Sequence, residues 1–222
     1  METTDNTELI EEPGVIIGAD GCFSTVREKM NIGEISSKKQ ERHNWGYKEL
    51  IFPADENGEP CMQADVLHVW PRGDSLLLAM PNKDNSFTGT LCMPLEGETG
   101  FSQLEDVSSL TEFCQRKYKD LEDAIPYMVE ILSRIKVSAF MSTSVSPWHY
   151  DDWVVLLGDA CHTVLPFYGQ GMNAAFEDCS ALEKIIGSVE DRCKDFSEYE
   201  RERKRNTDAL TELSEKNFVE LR

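Results

Sequence analysis

The sequence predicts an α/β fold in which an antiparallel sheet separates two pieces of a strand-and-helix layer, followed by a helical C-terminal part. The layer is indicated by two short apolar strands, at residues 15–17 and 153–157, which each lead through a glycine-containing turn into a helix. Between them, residues 45–94 alternate between apolar and polar side chains and contain tight turns, a pattern typical of antiparallel strands.

The 222-residue chain is strongly acidic, with a formal net charge of −19 at pH 7. A nucleic-acid-binding surface needs a basic face, and an anionic membrane surface attracts positive charge, so neither partner is expected. No apolar stretch reaches the roughly 18 residues that a membrane-spanning helix requires, so we predict no membrane span in this chain.

Seven scattered cysteines without a Cys-x-x-Cys pair indicate free thiols rather than a disulfide framework. Residues 1–8 are acidic and polar, which is unlike a signal or transit peptide. Both observations predict an intracellular, reducing compartment.

The first strand turns through Gly18-Ala-Asp-Gly21 into a helix for which Ser24 or Thr25 is the expected N-cap. An ordinary turn, in which an aspartate and a glycine supply special dihedral angles, explains this segment as well as a ligand site does. Residues 36–43 are rich in Lys, Glu and Gln and are expected to form a solvated connection.

The remaining elements follow from alternation, helical periodicity and turn residues. The strand candidates of the inserted sheet are 47–52, 66–70, 76–80 and 87–93. Later elements are helical residues 102–135 with a break at Ile125-Pro126, an extended segment at 142–148, the strand at 153–157, a helix at 173–186, and one or two surface helices within 195–222.

The segment from Val154 to Ala174 carries the strongest functional signal. An apolar strand ends in Gly158 and Asp159, and Gly169-Gln-Gly-Met-Asn173 opens a helix. Free backbone N–H groups at a helix start bind anionic or electron-rich groups, and a strand-end carboxylate can accept hydrogen bonds from hydroxyl groups. The segment therefore predicts a nucleotide-type cofactor. Its Gly-x-Gly-x-x-Ala pattern lies about ten residues beyond the strand, too far for the direct dinucleotide fingerprint, and by itself it also fits simple helix packing.

Other kinds of site are less well supported by the residues near this segment. His149, His162 and Cys161 lack a recognised metal-ligand spacing, and no serine lies in a Gly-x-Ser-x-Gly context. Cys161 is better explained as a core thiol than as the catalytic partner of its neighbour His162. We therefore predict no metal site and assign no catalytic side chain. Pro166-Phe-Tyr168 fits either core packing or a wall against a flat aromatic ligand.

Three segments resemble motifs of the flavin-dependent aromatic hydroxylases. Gly18–Arg27 is similar to their Asp-Gly motif, Leu157–His162 to their Gly-Asp motif, and Pro166–Asn173 to their Pro-x-x-Gly-Gln-Gly-x-Asn loop. More narrowly, further stretches resemble the kynurenine 3-monooxygenase branch of that family, namely 46–50, 67–72, 79–88, 166–179 and 217–222.

This resemblance implies a partial FAD-binding Rossmann-like domain with an inserted antiparallel substrate-domain sheet. The FAD domain would comprise 14–43 and 149–187, the substrate domain 44–148, and the C-terminal helical segment 188–222. The family's first unit, a strand, a Gly-x-Gly-x-x-Gly turn and a helix that bind the ADP half of FAD, has no match here. We therefore expect a fragment that retains FAD weakly or not at all.

The resemblance also implies roles for individual residues. Asp159 would contact the ribityl–pyrophosphate part of FAD, while Met172 and Asn173 would lie against the carbonyl groups of the flavin ring. Asp20 and Gly21 would contact FAD and NADPH. The other expected cofactor residues are Gly158, Gly169, Gln170 and Gly171, and the expected substrate residues are Pro166, Phe167 and Asn217.

In that family NADPH reduces FAD, and an atom of molecular oxygen is transferred to an aromatic substrate; for this branch L-kynurenine becomes 3-hydroxykynurenine, a step of tryptophan degradation toward NAD. Two alternatives stay open: a related flavin monooxygenase with another aromatic or isoprenoid substrate, and a non-catalytic remnant. Intact eukaryotic members are anchored in the mitochondrial outer membrane, which would be the location if that pattern holds.

Overall fold

The computed structural model describes residues 14–30, 37–186 and 192–222, and the chain divides into two units. The first unit comprises Met1–Glu41 and Met141–Glu215, and the second comprises Arg42–Phe140 and Lys216–Arg222. The helices are α1 (Thr25–Met30), α2 (Val107–Lys117), α3 (Ile125–Arg134), α4 (Gly171–Ile186) and α5 (Arg192–Leu221). The strands are β1 (Ile16–Gly18), β2 (Ser37–Phe52), β3 (His68–Pro71), β4 (Leu76–Pro81), β5 (Phe87–Pro94), β6 (Ser138–Ser146), β7 (His149–Tyr150) and β8 (Val154–Leu156).

The first unit contains a three-stranded sheet in the order β1-β8-β7. β1 and β8 are parallel, with Ile16 opposite Val154 and Gly18 opposite Leu156, whereas β7 is antiparallel to β8. A Cβ atom at Gly18 would lie 2.7 Å from Leu156 Cδ2 and 2.8 Å from Val26 Cγ1, so glycine is needed for α1 to approach the strands this closely. The core of this unit includes Val155, Trp148, Phe196 and Tyr199.

The second unit is built on a sheet in the order β3-β4-β5-β2-β6. The pairings of β2 with β5, β5 with β4, and β4 with β3 are antiparallel. Apolar side chains from the strands and from α2 and α3 share one core, which includes Leu50, Phe87, Leu91, Phe113 and Met128. The antiparallel sheet and its strands are thus confirmed, with the second predicted strand beginning two residues later than expected, at His68.

The predicted helical stretch after the sheet is also confirmed, together with its break. A capping box begins α2, because the Asp106 carboxylate accepts a hydrogen bond from the Ser109 N–H at 2.7 Å and the Ser109 hydroxyl accepts one from the Asp106 N–H at 3.3 Å. A 3₁₀ segment at Lys119–Ala124 then separates α2 from α3. Pro126 lies in the first turn of α3, where its missing N–H leaves no intrahelical hydrogen bond unmade.

Several expected boundaries were wrong. The supposed connection at 36–43 belongs largely to β2, which begins at Ser37, and the extended segment before Trp148 begins earlier, at Ser138. The charged residues at 36–43 suggested a solvated loop. A strand can form there without a hydrophobic face, because hydrogen bonds to the backbone of a neighbouring strand stabilise it. Within the described parts of the chain, no helix is long and apolar enough to cross a membrane.

The C-terminal segment is a single helix, α5, and it is not simply a surface helix. Phe196 and Tyr199 are fully buried, and Arg203, Thr207 and Ser214 continue the buried face at helical spacing. Because three of these five side chains are polar, the buried face has little hydrophobic contrast with the rest of the helix. That is why the sequence suggested a solvated helix.

Candidate functional site

The two motif turns of the first unit lie at the same edge of its sheet. β1 and β8 are parallel neighbours; Gly18 is the last residue of β1 and Gly158 lies two residues beyond β8. The Leu157 N–H donates to the Gly18 carbonyl oxygen at 2.9 Å. Ligands of open α/β sheets bind outside the carboxyl ends of the strands. This edge is therefore the position where a cofactor site is expected.

Asp20 caps the start of α1. Its carboxylate accepts hydrogen bonds from the Thr25 N–H at 2.7 Å and the Val26 N–H at 3.1 Å, as well as from the Ser24 hydroxyl. Burial acts to raise the pKa of Asp20, but these hydrogen bonds outweigh it and lower the pKa below its usual value. The predicted N-cap is confirmed, since the Ser24 hydroxyl accepts from the Arg27 N–H at 2.9 Å. The predicted contacts of Asp20 and Gly21 with FAD and NADPH stay predictions.

Arg27, the last residue of the stretch that resembles the Asp-Gly motif, joins the two motifs, a role that the sequence did not indicate. Its side chain is fully buried and donates to the carbonyl oxygens of Cys22 and Ala160, each at 2.6 Å. One signal could have found it: Arg27 precedes the buried Met30 by three residues, so both lie on the inward face of α1.

Gly158 and Asp159 begin the loop after β8. Gly158 has a φ of +57°, and a Cβ atom there would lie 3.1 Å from the Ala175 Cβ of α4, so both its conformation and its packing favour glycine. The next side chain, Asp159, is exposed, and no hydrogen bond to its carboxylate forms among the described residues. Partial burial of the carboxyl group raises its pKa, and nearby His162 opposes this. A hydroxyl group of a ligand could therefore donate to Asp159 without displacing an internal partner.

The start of α4 presents free backbone donors. Gly169 has a φ of +64° and ends the turn Pro166–Tyr168, and the first hydrogen bond of the helix runs from the Ala174 N–H to the Gln170 carbonyl oxygen at 2.9 Å. The N–H groups of the three residues between Gln170 and Ala174 precede that bond and have no intrahelical acceptor. Since α4 has 16 residues, its dipole also favours negative charge at this end.

Apolar side chains surround this helix start. Phe167 is half-buried, Tyr168 is 46% exposed, and Met172 and Phe176 are 69% and 64% exposed. The two predicted substrate residues in this region, Pro166 and Phe167, therefore lie in the turn directly before α4. The third, Asn217, lies on α5 in the second unit and is half-buried. None of these substrate roles is tested, and they stay predictions.

A buried charged cluster lies behind the loop and was also missed. The fully buried Asp178 carboxylate accepts hydrogen bonds from Arg203 Nε at 2.7 Å, from the Gly158 N–H at 3.0 Å, and from His162 Nε2. Burial alone would raise the pKa of Asp178, but the hydrogen bonds from His162, Arg203 and the Gly158 N–H, together with electrostatic interaction with His162, lower it. The cluster was invisible in the sequence because Asp178 and Arg203 are 25 residues apart on different helices.

The ligand atoms of Cys161, His162 and Asp178 lie within 4.8 Å of one another, which is close enough for a shared metal ion. A guanidinium group already neutralises Asp178, however, and the thiol pKa of Cys161 is well above its usual value because the residue is buried. A cysteine thiol must lose its proton to bind a metal ion, and the raised pKa of Cys161 opposes that loss. The three residues are therefore better explained as part of an ion-pair network than as a metal site. Cys161 is fully buried, as expected of a core thiol.

A family model described as "FAD binding domain" matches residues 12–214. The chain belongs to this FAD-binding family. Its sequence is 42% identical over 208 residues to kynurenine 3-monooxygenase of Salinispora tropica and 41% identical over 208 residues to that of Flavobacterium johnsoniae. The relative in Dictyostelium discoideum is 36% identical over 235 residues. These alignments cover 94%, 93% and 100% of this chain, but only 46%, 47% and 51% of the relatives, so the chain spans about half their length.

Solved structures show the same fold. A tetrameric form of 2-methyl-3-hydroxypyridine-5-carboxylic acid oxygenase is 22% identical with a TM-score of 0.74, over 95% of this chain and 54% of that one. Klebsiella pneumoniae HpxO, complexed with FAD and uric acid, is 21% identical with a TM-score of 0.71, over 96% of this chain and 52% of that one. The predicted α/β fold of an FAD-binding domain and the resemblance to flavin hydroxylases are confirmed.

Proposed function

We propose that this chain supplies the flavin-ring end of an FAD- and NADPH-dependent aromatic hydroxylase that converts L-kynurenine to 3-hydroxykynurenine. Two observations carry this proposal: the exposed Asp159 carboxylate, which accepts no hydrogen bond within the described parts of the chain, and the N–H groups at the start of α4 that have no intrahelical acceptor. The names of the relatives support the choice of substrate.

The residues present fit FAD. The Asp159 carboxylate has acceptor capacity for a ribityl hydroxyl, and the N–H groups of Gly171, Met172 and Asn173 can donate to flavin carbonyl oxygens. Glycine at 169 and 171 leaves the helix start open, since a Cβ atom at Gly169 would meet nothing within 4 Å. When bound, reduced FAD supplies the chemistry that transfers oxygen to an aromatic ring.

The protein's part in the reaction is to bind and orient. The positive end of the α4 dipole would stabilise negative charge on the reduced ring, and the fixed donors need no reorganisation during the reaction. Tyr168, Met172 and Phe176 offer an apolar surface that would exclude water from an aromatic substrate. Pro166, Phe167 and Asn217 are proposed to bind the substrate. Gly21, Gly158, Gly169 and Gln170 are proposed to contact the cofactor.

The location of the protein is a separate proposal. All seven cysteines are free, which supports a reducing compartment. Attachment to the mitochondrial outer membrane stays a prediction.

The decisive experiment follows the oxidation of NADPH by the full-length gene product, supplied with FAD, in the presence and absence of L-kynurenine. We expect L-kynurenine to stimulate oxidation and to yield 3-hydroxykynurenine, detected by chromatography. Stimulation by another aromatic compound but not by L-kynurenine would contradict the substrate assignment. FAD binding without NADPH oxidation under any substrate would favour a binding module over an enzyme.

A further inference from the structure

We infer that Arg203 is a positioning residue of the flavin site, acting through Asp178 to hold Gly158 and the start of α4 in fixed relation. This inference rests on the proposed function for its link to FAD. Its structural part concerns contacts within the first unit alone.

Arg203 reaches α4 at three points. Besides the bond to Asp178, its NH1 donates to Glu177 Oε2 at 2.8 Å and its NH2 to the Ala174 carbonyl oxygen at 3.1 Å. Three donors of one planar group thus hold the second turn of α4, which leaves the helix little freedom to rotate or slide. Arg203 is 5% exposed, so water does not compete freely for these bonds.

Asp178 carries this constraint to the loop after β8. One of its oxygens accepts from Arg203, while the other accepts from the Gly158 N–H and from His162. Gly158 directly precedes Asp159, the exposed carboxylate proposed to contact the ribityl chain. The Asp178 carboxylate therefore fixes both the position of Asp159 and the position of the donors at the start of α4.

A lysine at position 203 would keep the charge but lose the planar fork, because an ammonium group cannot reach three acceptors in that arrangement. Asp178 would then retain a partner, while α4 and the Gly158 amide would be held less firmly. This makes Arg203→Lys a more selective test than removal of the charge, which would leave Asp178 buried and uncompensated.

The matched control is Arg201→Lys. Arg201 lies on the same helix and pairs with Glu198 at 2.7 Å, but its side chain is 77% exposed, so the same substitution there changes little. Amide hydrogen exchange of the 222-residue chain without FAD is the first readout. We expect exchange of the segment 157–162 to be about tenfold faster in Arg203→Lys than in Arg201→Lys, since a tenfold change corresponds to about one hydrogen bond. The strands β4 and β5 of the second unit, expected to be unchanged, report on global folding.

Flavin binding is the second readout. Arg203→Lys should weaken FAD binding about tenfold and alter the visible absorption spectrum of bound flavin, at temperatures well below the melting transition. A merely stabilising residue would lower the melting temperature without changing either property in the folded chain. If unmutated chain binds no FAD, the proposed function fails, and the exchange data still decide whether Arg203 positions the loop.

Equal exchange of the segment 157–162 in the two lysine variants would overturn the inference. If Arg203→Lys loses protection throughout β8 and α5, the milder variant Glu177→Ala decides instead. Glu177 is 66% exposed, so its removal costs one Arg203 contact without burying a charge. For Glu177→Ala we expect about threefold faster exchange of the same segment, which corresponds to the loss of part of one hydrogen bond. Unchanged exchange there would contradict the positioning role.

Discussion

Arg27 is a buried guanidinium that donates to carbonyl groups rather than to a carboxylate. Its two bonds, to Cys22 and Ala160, hold the turn after β1 against the loop after β8. The bond to the Ala160 carbonyl oxygen is buried and is therefore costly to lose, whereas the Cys22 carbonyl oxygen also accepts from Gln40 Nε2 at 2.8 Å. The pairing spans 133 residues of sequence, which is why no local pattern predicted it.

Replacing Arg27 should therefore destabilise the protein more than replacing an exposed residue of the same helix. We expect Arg27→Met to lower the free energy of unfolding by about 2 kcal/mol, because the buried Ala160 carbonyl oxygen loses its donor, whereas the Cys22 carbonyl oxygen keeps the Gln40 side chain as a donor. Lys29→Met removes the same charge from the exposed face of α1 and should cost no more than about 0.5 kcal/mol. Urea denaturation of both variants checks this; equal losses would contradict the bridging role.

Gly158 and Gly169 have similar positive φ angles but different surroundings. Gly158→Ala would add left-handed strain and a contact at 3.1 Å to Ala175, whereas Gly169→Ala would add only the strain. We expect Gly169→Ala to cost about 1 kcal/mol and Gly158→Ala about 2 kcal/mol or more. Thermal unfolding of the two variants compares them directly. A larger loss for Gly169→Ala would show that packing against α4 does not matter.

The lowered pKa of Asp178 makes the free energy of unfolding depend on pH in the acid range. Its pKa in the folded chain is lowered, so its ionised form stabilises the fold above the unfolded pKa of about 3.9, and this stability is lost as the pH falls through the lower folded pKa. Removing the carboxylate should make stability fall less steeply with acid. We expect urea denaturation between about pH 5 and pH 2 to show a shallower acid limb for Asp178→Asn than for the unmutated chain. The same slope in both would contradict the assignment.

At the scale of elements, local signals predicted most helices and strands. Alternating polar and apolar residues predicted the strands of the inserted sheet. Pro126 indicated the start of α3, and Ser24 indicated the start of α1. The failures at β2 and α5 share one cause: both elements carry many charged residues and are held by partners distant in sequence. Pairing with a neighbouring strand and burial of Arg203 on α5 override the composition of these segments.

The capping box of α2 offers a test at this scale, in the second unit. Asp106→Ala removes the acceptor for the Ser109 N–H and should cost about 1 kcal/mol of stability. Glu105→Ala, one residue earlier and outside the box, should cost about 0.5 kcal/mol at most. The free energies of unfolding from urea titrations compare the two. Indistinguishable values would mean that the cap contributes little.

At the scale of the whole molecule, the chain has the fold of an FAD-binding family and is similar to kynurenine 3-monooxygenases over about half their length. The sequence indicated the groups that we propose face a ligand, because Asp159 and the glycines before α4 lie in one continuous segment. It could not predict the groups behind them. Asp178 meets Arg203, and Arg27 meets the Ala160 carbonyl group, only in the folded chain.

We propose that Asp159 and the start of α4 bind the flavin-ring end of FAD. Titration of the purified chain with FMN and with FAD, followed by flavin fluorescence, tests it most directly, with ADP as competitor. We expect similar dissociation constants for the two flavins, no competition by ADP, and about tenfold weaker binding for Asp159→Asn but not for the exposed Asp152→Asn. Displacement of FAD by ADP, or equal binding by the two aspartate variants, would contradict the account.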